Sequence, residues 1–116
     1  MLRLNLIIAA TALVAPIAAA SSLNAQDAKL IAKGQALVAE HRCAMCHTIA
    51  AKGGKLSKSL DGVSERRDAA ALTRILSGPQ KEFPDAKIKM PTVAWQAGEM
   101  AAVIAYLQTL KVQPAK

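Results

Sequence analysis

The sequence predicts a small all-α domain of three to four helices joined by loops. Three observations lead there. Apolar residues recur near the 3.6-residue period of a helix in three stretches, around residues 27–41, 69–77 and 96–110. No strand-like alternation precedes Cys43, where the residues read as helix. With 116 residues and only one Phe, one Trp and one Tyr, the chain is one domain at most and is short of bulky core material. A domain of this kind needs a large apolar group from elsewhere to complete its centre.

The 53% apolar composition overstates the core, because much of it lies at the N-terminus. Met1-Leu2-Arg3 is a short positive region, Leu4 to Ala15 an apolar stretch, and Ala18-Ala19-Ala20 a small-residue cleavage signal. Residues 1–20 therefore read as a cleaved signal peptide that engages the membrane only during export, leaving about 96 residues. Cleavage after Ala25 fits less well, since Leu23 would stand where a small residue is preferred. The alternative is an uncleaved membrane anchor, although the apolar stretch is short of the roughly 20 residues that span a bilayer and Pro16 interrupts it. Neither cysteine lies near the cleavage point, which excludes a lipid-modified N-terminal cysteine. The expected location is the periplasm, membrane-anchored if the segment is retained.

Residues 21–26 are polar and read as a flexible lead-in to a domain over 27–111. Asp27 is placed to cap a first helix reaching about His41, with Ile31, Ala32, Gln35, Leu37 and Val38 along its inner side and Lys29 and Lys33 solvated. Gly34 lowers helix propensity by roughly 1 kcal/mol relative to Ala, and gives another element room for close approach. Thr48 to Lys55 reads as a helical remnant running into the Gly53-Gly54 turn, and residues 56–63 as a loop offering Leu56, Leu60 and Val63. Asp61, Glu65 and Asp68 form a solvated, helix-initiating cluster.

Asp68 caps a short helix over 69–77 with Leu72, Ile75 and Leu76 inward. Gly78-Pro79 ends it, the glycine in the left-handed position. Residues 80–95 are irregular. The last helix runs from about Gln96 to Leu110, with Met100, Val103, Ile104, Leu107 and Leu110 on one side and Glu99 and Lys111 suiting its two ends. Residues 112–116 read as a flexible tail.

Cys43-Ala44-Met45-Cys46-His47 gives the rest of the chain its purpose. Two thiols at this spacing can each add to a vinyl group of a porphyrin, leaving the adjacent imidazole beneath the iron; C-x-x-C-H is the attachment pattern of haem c. A redox dithiol shares the C-x-x-C spacing but usually follows a strand. A zinc site needs four ligands in separated pairs, whereas His41, Cys43, Cys46 and His47 crowd one short span. A Cys43–Cys46 disulfide would close a very small loop. One covalently bound haem c, with helices and loops around it, is the reading the motif supports.

His47 leaves one axial position on the iron. His41 lies too near the attachment loop, Met45 sits between the two linked cysteines, and Met100 belongs to the apolar side of a helix, where methionines fill gaps. Met90 lies in an aperiodic loop between Lys89 and Pro91, far along the chain from His47. It is the favoured sixth ligand, the alternative being a methionine that only packs on the porphyrin. His/Met ligation raises the potential relative to His/His, which suits accepting electrons from a dehydrogenase.

The formal charge of +7 falls to about +6 without Arg3, and to about +4 with two ionised propionates, a field able to steer an acidic partner. Export, scattered lysines and the lack of an aromatic–basic pattern argue against nucleic acid.

The attachment motif near the start of a helical chain, with Met90-Pro91 downstream, resembles the class I monohaem cytochromes c of bacterial type. The resemblance covers about residues 27–111. It extends to Gly34 and to Tyr106-Leu107 in Ala105-Tyr106-Leu107-Gln108-Thr109-Leu110, where the family's terminal helices cross. It departs at Gly54-Lys55-Leu56, where members often carry Gly-Pro-x-Leu and the proline carbonyl accepts the proximal imidazole proton. Which carbonyl does so here is open.

The resemblance implies a periplasmic one-electron carrier between redox proteins (a dehydrogenase, reductase or oxidase), not an enzyme. Lys52, Lys55, Lys87 and Lys89 would flank the exposed haem edge. The alternatives are a dedicated haem subunit of a periplasmic oxidoreductase complex, or an open-site haem enzyme or gas sensor if Met90 does not bind iron. No paired carboxylates, Ser/His/Asp arrangement or nucleotide-binding loop suggests catalysis by the chain alone.

Overall fold

The computed structural model describes the backbone of residues 10–12 and 18–114 and the side chains of residues 10–12 and 25–114. Most of the expected signal peptide and residues 115–116 lie outside the described residues. The architecture is all-α, as the periodicity predicts. Among the described residues four helices, α1 (Ala18–Glu40), α2 (Ala69–Ser77), α3 (Pro79–Glu82) and α4 (Glu99–Leu107), are joined by loops carrying 3₁₀ turns at Cys43–Met45 and Val63–Glu65. The sheet is a two-residue hairpin, β1 (Thr48–Ile49) with β2 (Lys52–Gly53). No described helix is long and apolar enough to cross a membrane.

Helix α1 begins earlier than the sequence suggests. Asp27 lies inside the helix instead of capping it, and the expected lead-in 21–26 is helical. The reason is local. Ala18-Ala19-Ala20 and Leu23-Asn24-Ala25-Gln26 contain no breaker, and alanine has the best helix propensity, so nothing stops the helix at Asp27. Among the described side chains of α1, Gly34, Leu37 and Val38, at i, i+3 and i+4, face inward and Ile31 is half-buried, whereas Ala32 and Gln35, expected on the inner side, are exposed.

This side packs on α4, the main helix–helix contact of the fold. Gly34 makes it possible. A Cβ there would run into the Ala102 carbonyl and lie 2.8 Å from Tyr106 Cβ, so the two backbones cross closer than any other residue would allow.

Helix α2 matches its prediction residue for residue. The Asp68 carboxylate accepts from Ala71 N at 2.8 Å, and Ala71, Leu72 and Leu76 are buried while Ile75 is partly so. The junction after it differs. Gly78 is extended (φ −157) rather than left-handed, and Pro79 opens α3 at its first position. The proline explains both. Its ring disfavours helical backbone in the preceding residue, while its own fixed φ suits a helix start.

Helix α4 spans nine residues, shorter than the expected 96–110. Gly98 (φ 79) precedes it, and Glu99 Oε1 accepts from Gln96 N at 2.7 Å, holding the approach. After Leu107 the chain tightens into i→i+3 bonds, Thr109 N to Tyr106 O and Leu110 N to Leu107 O. Leu110 nevertheless remains buried, and its carbonyl accepts from Gly62 N at 2.9 Å. The apolar period therefore outlasts the helix. The core joins Leu37 and Val38, Ile49, Val63, Leu72 and Leu76 with Ala102, Val103, Ile104, Leu107 and Leu110, all of it aliphatic.

The stretch from Thr48 to Lys55 is the hairpin, not a helical remnant. Thr48 pairs with Gly53 and Ile49 with Lys52. The turn residues Ala50 and Ala51 both have positive φ (51 and 64), the conformation of a tight hairpin turn that glycine and asparagine ordinarily supply.

Candidate haem-attachment site

A 3₁₀ turn presents the cysteines. Arg42 reverses the chain in the left-handed region (φ 55), and Cys46 N and His47 N both donate to Cys43 O, at 3.3 and 3.0 Å. Since 3₁₀ geometry stacks positions i and i+3, Cys43 and Cys46 fall on one side of the turn. Both are half-buried and both are free thiols. Burial pushes the Cys43 thiol above its ordinary pKa, with a main-chain hydrogen bond acting weakly the other way. Among the described residues no three His, Cys, Asp or Glu side chains gather into a group able to hold a metal ion.

The imidazole of His47 is oriented by a neighbour that the sequence does not single out. Its Nδ1 lies 2.6 Å from the carbonyl oxygen of Lys58. A carbonyl only accepts, so Nδ1 carries the proton and Nε2 keeps its lone pair for a ligand. The acceptor that Gly54-Lys55-Leu56 leaves open is therefore supplied just beyond that stretch, by a main-chain oxygen whose parent side chain is irrelevant.

Residues 57–61 run beside 46–51 as a strap. Ser57 N donates to Cys46 O and Leu60 N to Thr48 O, both at 2.9 Å, and Ser59 Oγ donates to Thr48 O at 3.3 Å. Asp61 finishes the strap. Its carboxylate accepts from Ala50 N (2.7 Å) and Ala51 N (2.8 Å), the two turn residues in left-handed conformation. Asp61 is 7% exposed, which corrects its expected place in a solvated cluster; of that cluster, Asp68 alone caps a helix. The loop between hairpin and strap also crosses the attachment turn closely: Gly54 N donates to Ala44 O at 2.7 Å, and a Cβ at Gly54 would meet the Met45 carbonyl.

Met90 is partly buried against the same core that Cys43 borders. Its loop is held by Gln80, whose Nε2 donates to Met90 O at 2.6 Å while its Oε1 accepts from Thr92 Oγ1 at 2.8 Å. One side chain therefore brackets Pro91. Lys89 Nζ donates to Pro84 O at 2.8 Å. At the end of the loop Trp95 donates from Nε1 to Leu76 O (3.2 Å) and meets His41 edge-on, ring centroids 5.1 Å apart.

The rival axial candidates have other surroundings. His41 is against Trp95, Met45 is 65% exposed, and Met100 Sδ accepts from Ser77 Oγ at 3.7 Å. Gln80, Lys58 and Asp61 are the positions that pattern reading missed. Their partners lie 10 to 12 residues away along the chain, and no local signal marks them.

The side chains present fit a c-type haem: two unbridged thiols on one turn, a histidine with Nδ1 committed and Nε2 free, and a core with no aromatic residue at its centre. Residues 31–111 match the family model described as Cytochrome c, which is more than half of the chain. No curated protein matches the chain.

Proposed function

We propose that this chain, which belongs to the cytochrome c family, is a monohaem carrier of the bacterial class I type that shuttles single electrons between redox proteins of the periplasm. Proteins of this family are typically electron carriers without catalysis of their own. Cys43 and Cys46 would hold the haem c by thioether bonds, and His47 and Met90 would supply the axial ligands. When bound, the haem supplies a one-electron couple at iron. The observation that carries the reading is the His47 ring, fixed through Nδ1 by the Lys58 carbonyl, directly after a turn bearing two free thiols.

The chain's own contribution is to limit movement. The Lys58 carbonyl sets the ring plane and raises the basicity of Nε2. Gln80 restrains the main chain on both sides of Pro91, so a thioether presented from Met90 is held in place whatever the oxidation state. Lys52, Lys55, Lys87 and Lys89 are the cations expected to surround the haem edge; all four are exposed, and their charge would steer an acidic partner, a dehydrogenase, reductase or oxidase.

The deciding experiment is the visible spectrum of the ferric holoprotein and of Met90→Ala. Loss of the absorbance band diagnostic of methionine-to-ferric-iron ligation, with high-spin character, is the expected result. An unchanged spectrum in Met90→Ala would overturn that ligand. Capture of partners from periplasm then separates a diffusing carrier from a fixed subunit, since only the latter co-purifies stoichiometrically with a larger catalytic chain.

A further inference from the structure

We propose that Asp61 is a positioning residue for the proximal histidine, holding the Lys58 carbonyl on His47 through the strap that its carboxylate anchors. The inference rests on the haem-carrier reading above and extends it to a residue outside the ligand set. Among the described residues, no cation forms a salt bridge with the buried Asp61 carboxylate. Its two oxygens are instead each taken by one main-chain N–H, of Ala50 and of Ala51. Those two residues are alanines at φ 51 and 64, where L side chains crowd the backbone. The turn is therefore unfavourable locally and needs an outside acceptor to hold it.

The same contact fixes the far end of residues 57–61. Arg66 grips the strap from the other side, donating to Ser59 O at 2.8 Å and to Asp61 O at 3.4 Å. Lys58 sits in the middle of this doubly held segment, and its carbonyl is the group that His47 Nδ1 meets. The Ser57, Ser59 and Leu60 bonds to Cys46 and Thr48 are neutral. The Asp61 bonds are charge-assisted, and bonds of that type are roughly twice as strong. Removing the carboxylate should thus release the strap from the hairpin turn at its Asp61 end. A loosened Lys58 carbonyl weakens the Nδ1 hydrogen bond, makes Nε2 less basic and favours the reduced iron.

The test compares the wild-type holoprotein with Asp61→Asn, Asp61→Ala and the double variant Asp61→Asn/Ala51→Gly. Midpoint potential, exchange of the His47 Nδ1 proton by NMR of the reduced protein, and thermal unfolding are measured on each. Asn keeps one acceptor but turns an NH2 toward a main-chain donor, so even this close replacement should raise the potential and speed Nδ1 exchange by about tenfold or more.

In the double variant glycine relieves the turn, so thermal stability recovers in part while potential and exchange stay displaced, because the tether is still missing. The double variant also keeps the test open should Asp61→Ala fail to assemble. Variants that lose stability but retain wild-type potential and exchange would show a structural role only and overturn the proposal. A wild-type iron with no histidine ligand would instead overturn the haem-carrier reading itself, and that outcome is visible before any variant is made.

Discussion

Ala50 and Ala51, like Arg42, bear unfavourable local geometry in the site. Each occupies the left-handed region at a cost of about 1–2 kcal/mol relative to the right-handed one, and a hairpin turn of this kind ordinarily carries Asn-Gly. Ala50→Asn/Ala51→Gly is therefore expected to stabilise the holoprotein by about 1 kcal/mol, read as a higher midpoint in denaturant with an unchanged slope. At the opposite side of the site, Gln80→Leu removes two hydrogen bonds at similar volume, to Met90 O and from Thr92 Oγ1. The methionine–iron band proposed for Met90 should then bleach at a lower temperature than global unfolding, a separation that wild type should not show. Gln80 illustrates what pattern reading leaves out. It carries no motif, and its importance comes from a loop that returns to it ten residues later.

Among the elements, α2 was legible to the residue because its signals are local: a capping aspartate, a 3.6-residue apolar period and a proline just beyond. Asp68→Ala should cost about 1 kcal/mol, measurable in thermal unfolding. Helix α1 was legible in its inner half and not in its start, since an alanine-rich stretch continues a helix that no breaker stops. Helix α4 was legible in which residues it buries and not in where it ends, because Leu110 remains in the core after the helix has tightened and closed. The crossing of α1 and α4 depends on one missing side chain. Gly34→Val would place branched carbon against the Ala102 carbonyl and Tyr106 Cβ, and overpacking of this kind costs about 1–3 kcal/mol or more. A large drop in the unfolding temperature with an unaltered haem spectrum is expected, since Gly34 lies on the α1–α4 contact, away from the attachment turn.

At the scale of the whole molecule, the small aliphatic core would gain its large apolar centre from the proposed haem. The variant Cys43→Ala/Cys46→Ala, which cannot form thioether bonds, is expected to lose cooperative thermal unfolding by circular dichroism, as small domains do when their ligand is folding energy. The positive surface has its own signature: reduction by an acidic partner should slow steeply with ionic strength.

The sequence by itself determined the all-α class, the attachment motif, the family resemblance, the inward faces of α2 and α4, Leu37 and Val38 of the inward face of α1, and the choice of Met90 as candidate ligand. These rest on spacing along the chain, and spacing is written in the residues. Only the tertiary structure decided that Lys58 O meets His47 Nδ1, that Asp61 is buried against an alanine turn, that Gln80 brackets Pro91 and that residues 48–53 pair as strands. Each of these is a hydrogen bond closed by folding between main-chain or polar groups, and main-chain groups are the same at every position, so no residue pattern could announce them.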